Sequence, residues 1–176
     1  TTGWVGYTLS WTNRQFDEIN SGRPFPFKYD RRHDISVVLS HKLNERISLS
    51  GAWVYGTGNA VTIPTSQHTA SIPYGFERYA GYYEPTILRS ESKNSERMRA
   101  YHRLDFSIEF HKKKKRYERT WVIGTYNSYN RANPFFIQLH EEYDYDPNTN
   151  VETRTTSLRQ FSLFPLIPSV AWKFKF

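Results

Sequence analysis

Oxygen donors recur at every second position in Asp144-x-Asp146-x-Asn148-x-Asn150-x-Glu152, the alternation used by calcium loops. Thr149 stands where such a loop needs its glycine, and Thr155 where it needs a bidentate glutamate. Asp146-Pro-Asn-Thr-Asn150 is good turn chemistry, so the stretch reads as a plain hairpin tip and no metal site is expected. Gly56-Thr-Gly58 lacks the third glycine and following helix of a dinucleotide loop, and Pro64 opposes one. The six histidines show no zinc spacing, and no Gly-x-Ser-x-Gly is present. Asp34, Arg103, Asp105 and Glu109 read as a solvated or mutually paired lining rather than a proton-transfer set. No enzymatic activity and no cofactor are expected.

The net charge of +7 is largely local, because Lys112 to Arg116 is an unbroken basic run. A single-strand nucleic-acid binder interleaves aromatic stacking residues with its cations, and this run has none, so no nucleic-acid partner is expected. Zero cysteines remove disulfide frameworks and thiol metal sites.

Strands must position these groups. Aromatic residues make up 17% of the chain, while mean hydropathy is −0.73 and methionine occurs once, a composition that suits pleated surfaces and membrane interfaces better than helix cores. No apolar run approaches the length of a transmembrane helix. Period-two alternation predicts a first strand over 2–13, with Val5, Tyr7, Leu9 and Trp11 on one face. A loop over 14–28 follows, which Pro24 and Pro26 should keep out of any ladder. A second strand over 29–42 and a third through Ile47, Leu49, Trp53 and Tyr55 are separated by a tight turn at Asn44-Glu45. Periodicity then fails over 58–97. A fourth strand from Tyr101 sets Leu104, Phe106, Ile108 and Phe110 against Arg103, Asp105, Ser107 and Glu109. The fifth starts near Tyr117, its facing ambiguous over 117–128, and Phe135 to Leu139 should continue it. An acidic loop is expected over 141–156. The sixth strand runs to Phe176, its first half bent by Pro165 and Pro168, with Val170, Trp172, Phe174 and Phe176 on one face and Lys173 and Lys175 on the other.

Connections between these strands alternate long and short. Successive antiparallel strands reverse direction, so all long loops fall on one edge and all short turns on the other, as in outer-membrane barrels. Trp11, Trp53 and Tyr55 near the long-loop edge, with Tyr117 and Trp121 near the short-turn edge, match two interfacial girdles. In that setting the run Lys112 to Arg116 is a periplasmic turn at the phospholipid headgroups. Leu104, Phe106, Ile108, Phe110, Val170, Trp172 and Phe174 would face lipid.

Several motifs in one order carry a resemblance. Arg23-Pro-Phe-Pro26, Tyr29-Asp-Arg-Arg-His-Asp34, Trp53-Val-Tyr-Gly-Thr-Gly-Asn59, Tyr101-His-Arg-Leu-Asp105, Tyr126-Asn-Ser-Tyr-Asn-Arg-Ala-Asn-Pro134 and Ser162-Leu-Phe-Pro-Leu-Ile-Pro-Ser169 with Phe176 resemble the C-terminal barrel region of TonB-dependent outer-membrane receptors. The likeness is nearest to Bacteroidota (Gram-negative) members with a carboxypeptidase-like N-terminal domain, and it spans residues 1–176. Family barrels are 22-stranded, which implies an all-β, antiparallel transmembrane β-barrel of which this chain would be the last six strands. The chain opens at Thr1 without a start methionine or signal peptide and reads as an excised or processed piece, with the plug domain and earlier strands elsewhere.

The resemblance implies active transport of a large or scarce nutrient, this chain supplying barrel wall and extracellular loops. It implies as partners the plug and remaining strands, the TonB complex, the barrel-assembly machinery reading Phe176, outer-membrane lipid, and a surface lipoprotein. Tyr74, Phe76, Tyr79, Tyr82 and Tyr83 on the long loop are the ligand-binding candidates, since aromatics on long loops mark binding surfaces. Two alternatives stand beside this: a soluble β-sandwich or lectin-like module using those tyrosines as a sugar platform, and an outer-membrane barrel not coupled to TonB.

Overall fold

The computed structural model describes residues 1–69 and 86–176. In chain order the strands are β1 (Thr2–Leu9), β2 (Asn13–Arg14), β3 (Phe25–Pro26), β4 (His33–Lys42), β5 (Ile47–Gly56), β6 (Ala60–Val61) and β7 (Ser66–Thr69). Then follow β8 (Thr86–Arg89), β9 (Glu96–Arg97), β10 (Tyr101–Lys113), β11 (Glu118–Tyr126), β12 (Phe136–Asp146), β13 (Val151–Phe161) and β14 (Ile167–Lys175). The fold is all-β. Every ladder is antiparallel, and a 3-10 turn at Asn20–Gly22 is the single helical element among the described residues.

Two units form. In the first, β1, β4, β5, β10, β11 and β14 make a six-stranded sheet in that order. Because side chains alternate and directly opposed residues share a face, the register groups residues into rungs across the sheet. One rung reads Val5, Val37, Trp53, Leu104; another His41, Leu49, Ile108, Ile123, Val170; a third Ile47, Phe110, Trp121, Trp172. The opposite face carries the rung Thr2, Ser40, Ser50, Ser107, Gly124, Ser169. β1 and β14 each pair on one side only, so the described sheet has two free edges and is not closed.

Links between consecutive sheet strands cover residues 10–32, 43–46, 57–100, 114–117 and 127–166. Long and short alternate as the sequence predicts, and the antiparallel order puts the three long ones at one end of the sheet. The last of them contains the β12–β13 hairpin, which belongs to the same unit but pairs only with itself.

The second unit comprises Trp11–Asp30 and Asn59–Arg97. Its centre is polar. The Asp30 carboxylate, 1% exposed, accepts from the Thr12 amide at 2.6 Å and pairs with the Arg97 guanidinium, which also donates to the Asp30 carbonyl at 2.6 Å. Asn94, with φ 55°, bonds Thr62 through its amide at 2.9 Å and the Pro26 carbonyl through its side chain at 2.9 Å. Phe25 and Ala60 are buried against this network.

Several sequence expectations are corrected. The first strand stops at Leu9, so Trp11 lies beyond it in the second unit; Pro26 does join a short ladder, opposite Asn13. Ladder pairing of the second strand begins at His33 rather than Tyr29, and the aperiodic stretch after Gly58 contains the paired β6–β9 and β7–β8. Phe135 to Leu139 does not prolong the fifth strand: Phe136 opens β12, and most of the expected acidic loop is ladder, Glu141 facing Thr156. In β12 Ile137, Leu139, Tyr143 and Tyr145 alternate with polar residues, but residues 152–157 of β13 are polar on both faces, and a search for apolar periodicity overlooks that partner strand. Pro168 sits inside β14 opposite Thr125 rather than outside the ladder.

Candidate functional site

One face of the six-stranded sheet is largely apolar and exposed. Leu104, Phe106, Ile108 and Phe110 lie on it in register with Trp53, Gly51, Leu49 and Ile47 of β5. β11 presents Trp121 and Ile123 to the same face, which resolves the ambiguity over 117–128: Val122, Gly124 and Tyr126 point the other way. Val170, Trp172 and Phe174 complete it on β14. Rings stack along the ladder, Trp121 on Trp172 at 6.1 Å, Tyr117 on Phe174 at 4.9 Å and Trp53 on Tyr55 at 6.1 Å. Among the described residues this face stays exposed. Val170 is 67% exposed, Trp172 58% and Ile123 50%, and the buried hydrophobic residues among those described are Phe25, Ala60 and Met98, none of them on this face.

The opposite face mixes Trp4, Val38, Val54 and Val122 with serines and charged groups, and several of its charges are paired. Arg103 bridges Asp105 at 2.9 Å and donates to the Tyr126 hydroxyl at 2.6 Å and the Tyr101 hydroxyl at 3.0 Å, with its guanidinium 4.1 Å above the Tyr126 ring. Lys173 reaches Glu109 at 3.2 Å, and Arg31 reaches Asp34 at 3.5 Å. Asp34, Arg103, Asp105 and Glu109 are therefore each paired, in keeping with a polar lining.

At the long-link end of this face lies a cluster that sequence reasoning quoted as a motif without assigning roles. Asn127 is fully buried, with φ 53°. Its side-chain amide donates to the carbonyls of Arg131 at 2.9 Å and Phe164 at 3.0 Å, and its side-chain oxygen accepts from the Arg131 amide at 3.0 Å. Its own backbone N–H donates to Asp105 at 3.0 Å. Asn133 exchanges two bonds with the His102 backbone, and Asn130 accepts from the Leu166 amide at 2.9 Å. The asparagines of 126–134 thus replace ladder bonds where the chain leaves the sheet, and positive φ, which asparagine tolerates better than most residues, was the available signal.

The other predicted positions separate. Tyr74, Phe76, Tyr79, Tyr82 and Tyr83 lie outside the described residues. Phe176 is 97% exposed, its ring 4.8 Å from Phe174. Asp144 pairs with Thr153 and Tyr145 with Glu152, so Asp144 and Glu152 sit on opposite faces of the hairpin and do not converge on one ion. Asp146 instead caps the turn through the Asn148 amide at 2.9 Å and the Thr149 hydroxyl at 2.8 Å, bonds that hold its carboxyl below the usual range. Along the same hairpin the Arg154 guanidinium, helped by the Tyr143 hydroxyl, lowers Glu141. Gly58 has a packing reason, since a Cβ there would fall 1.8 Å from the Met98 carbonyl oxygen.

No protein-family profile matches the chain, and neither a curated protein nor a solved structure matches it significantly.

Proposed function

We propose that the six-stranded sheet is a section of a transmembrane β-barrel wall in a bacterial outer membrane. The observation that carries this reading is the largely apolar face from Val5 on β1 to Trp172 on β14, which stays exposed among the described residues, with paired charges on the opposite face. In water such a face would demand a second layer, because soluble domains bury the apolar side of a sheet and seldom expose contiguous patches beyond about 300–600 Å². A sandwich reading needs that layer, and none covers the face among the described residues. Lipid covers it without one. The free edges at β1 and β14 then require partner strands, since unpaired backbone groups in hydrocarbon cost several kcal/mol each.

Within that setting, the motifs named above favour a TonB-dependent receptor importing a large or scarce nutrient. Its barrel wall and outward loops would come in part from this chain, and plug, TonB complex, assembly machinery and lipoprotein would be its partners. The paired charges of the opposite face suit a lumen wall. Fractionation tests the reading: the protein carrying this chain should sediment with outer membranes, require detergent for release, and migrate differently on gels before and after heating. Release by salt or alkaline wash alone would overturn it.

A further inference from the structure

Cations at the short-turn end of the sheet are only partly neutralised, since Lys42 and Lys175 on the polar face have no carboxylate within ion-pair distance among the described residues. On the polar face, Lys113 pairs with Glu118 at 3.2 Å and Lys173 with Glu109 at 3.2 Å. On the apolar face, Lys112 of β10 stands directly opposite Arg119 of β11, and Arg119 directly opposite Phe174 of β14. Among the described residues no carboxylate pairs with either cation, although like charges facing each other across a ladder repel. Lys112 is exposed and Arg119 half-exposed. The two occupy the rung next to Phe110, Trp121 and Trp172, at the short-turn end, with Tyr117 stacked on Phe174 beside them.

An apolar band, then an aromatic belt, then two converging unneutralised cations is the order of chemistry met on passing from acyl chains to headgroup phosphates. We infer that Lys112 and Arg119 form a clamp for the phosphate of an anionic phospholipid headgroup, the acyl chains lying along Trp121, Ile123 and Val170. Arg119 supplies the planar fork suited to two phosphate oxygens and Lys112 a flexible point charge. The inference rests on the membrane reading above and adds a lipid class and a bilayer depth to it. It also separates Lys112 from its neighbour Lys113, which the carboxylate of Glu118 already neutralises.

The test uses the intact membrane protein in nanodiscs of phosphatidylcholine, with phosphatidylglycerol titrated in and bound lipid counted by native mass spectrometry. Lys112→Gln and Arg119→Gln should each weaken phosphatidylglycerol retention about fivefold, and the double variant about 30-fold, whereas Lys113→Gln should not change it. Equal loss with Lys113→Gln would reduce the effect to overall charge and overturn the clamp. Inorganic phosphate displacing phosphatidylglycerol at millimolar concentration would replace the lipid site by a free-anion site. A protein that enters nanodiscs yet shows no phosphatidylglycerol preference refutes the clamp alone; one that needs no detergent or bilayer refutes the membrane reading itself.

Discussion

Trp121 and Trp172 face each other directly across β11 and β14, their rings 6.1 Å apart and 26° from parallel. Both are about half exposed, at 45% and 58%. Two stacked indoles at the short-turn end of an uncovered apolar face is an arrangement suited to a bilayer interface, where an amphipathic ring meets hydrocarbon and headgroup together.

Ile108 lies between Leu49 and Ile123 near the middle of that face. Ile108→Arg should destabilise the bilayer-embedded protein by about 2–4 kcal/mol, the cost of a cation near the midplane. Denaturant unfolding in lipid vesicles measures it. A change smaller than about 0.5 kcal/mol would argue that this face is not in hydrocarbon.

Asn127 should be among the least replaceable residues of the chain. Asn127→Ala strands the Phe164 and Arg131 carbonyls and the Arg131 amide, each worth about 1–3 kcal/mol when left buried and unpaired. Asn127→Asp keeps the acceptor for the Arg131 amide but turns both donations into a buried carboxylate facing two carbonyl oxygens, so it should cost at least as much as alanine at neutral pH. Thermal unfolding of the two variants ranks them; equal values for aspartate and asparagine would show that the donated bonds contribute nothing.

Acidification should loosen the β12–β13 hairpin. The carboxyls of Glu141 and Asp146 titrate below their ordinary values because Arg154 and the turn amides favour the charged forms. Depressed folded-state values contribute stability that is fully present above the unfolded-state values, about 4 for both residue types, and lost as pH falls through the folded ones. Amide exchange across 141–156 should therefore be constant from neutral pH down to about pH 5 and, after correction for intrinsic rates, quicken below it. Glu141→Gln should flatten that response, and a wild-type hairpin that loosens on raising the pH would carry the wrong sign.

The link over 57–100, which carries Tyr74, Phe76, Tyr79, Tyr82 and Tyr83, should face the outside of the cell. An epitope inserted beside Ser92 should be reached by antibody on intact cells. One placed within 114–117 should become accessible only after permeabilisation. The reverse pattern would invert the topology.

Much of the sheet is legible in the sequence. Leu104 to Phe110 alternate without a break, and the short turns after Lys42 and Lys113 fix antiparallel neighbours, so the sheet and its loop asymmetry follow from local pattern. The facing of β11 was not legible, because Trp121 and Val122 are comparably apolar; it was settled by register against Phe110, a non-local fact. The β12–β13 hairpin is hidden by its second strand, since residues 152–157 are polar on both faces. Asp30 and Asn127, both buried, depend on partners far away in sequence, Arg97 and Phe164, which spacing does not reveal.

The central claim is that one face of the sheet meets lipid and the other water. The chain contains no cysteine, so single cysteines can be placed in turn from 103 to 110 and labelled with a spin probe in the bilayer-embedded protein. Collision with oxygen, which concentrates in hydrocarbon, should peak at 104, 106, 108 and 110, and collision with a water-soluble nickel chelate at 103, 105, 107 and 109. Two such profiles in opposite phase, with period two, are the predicted result. Profiles in phase, or nickel collision equal at every position, would contradict the account.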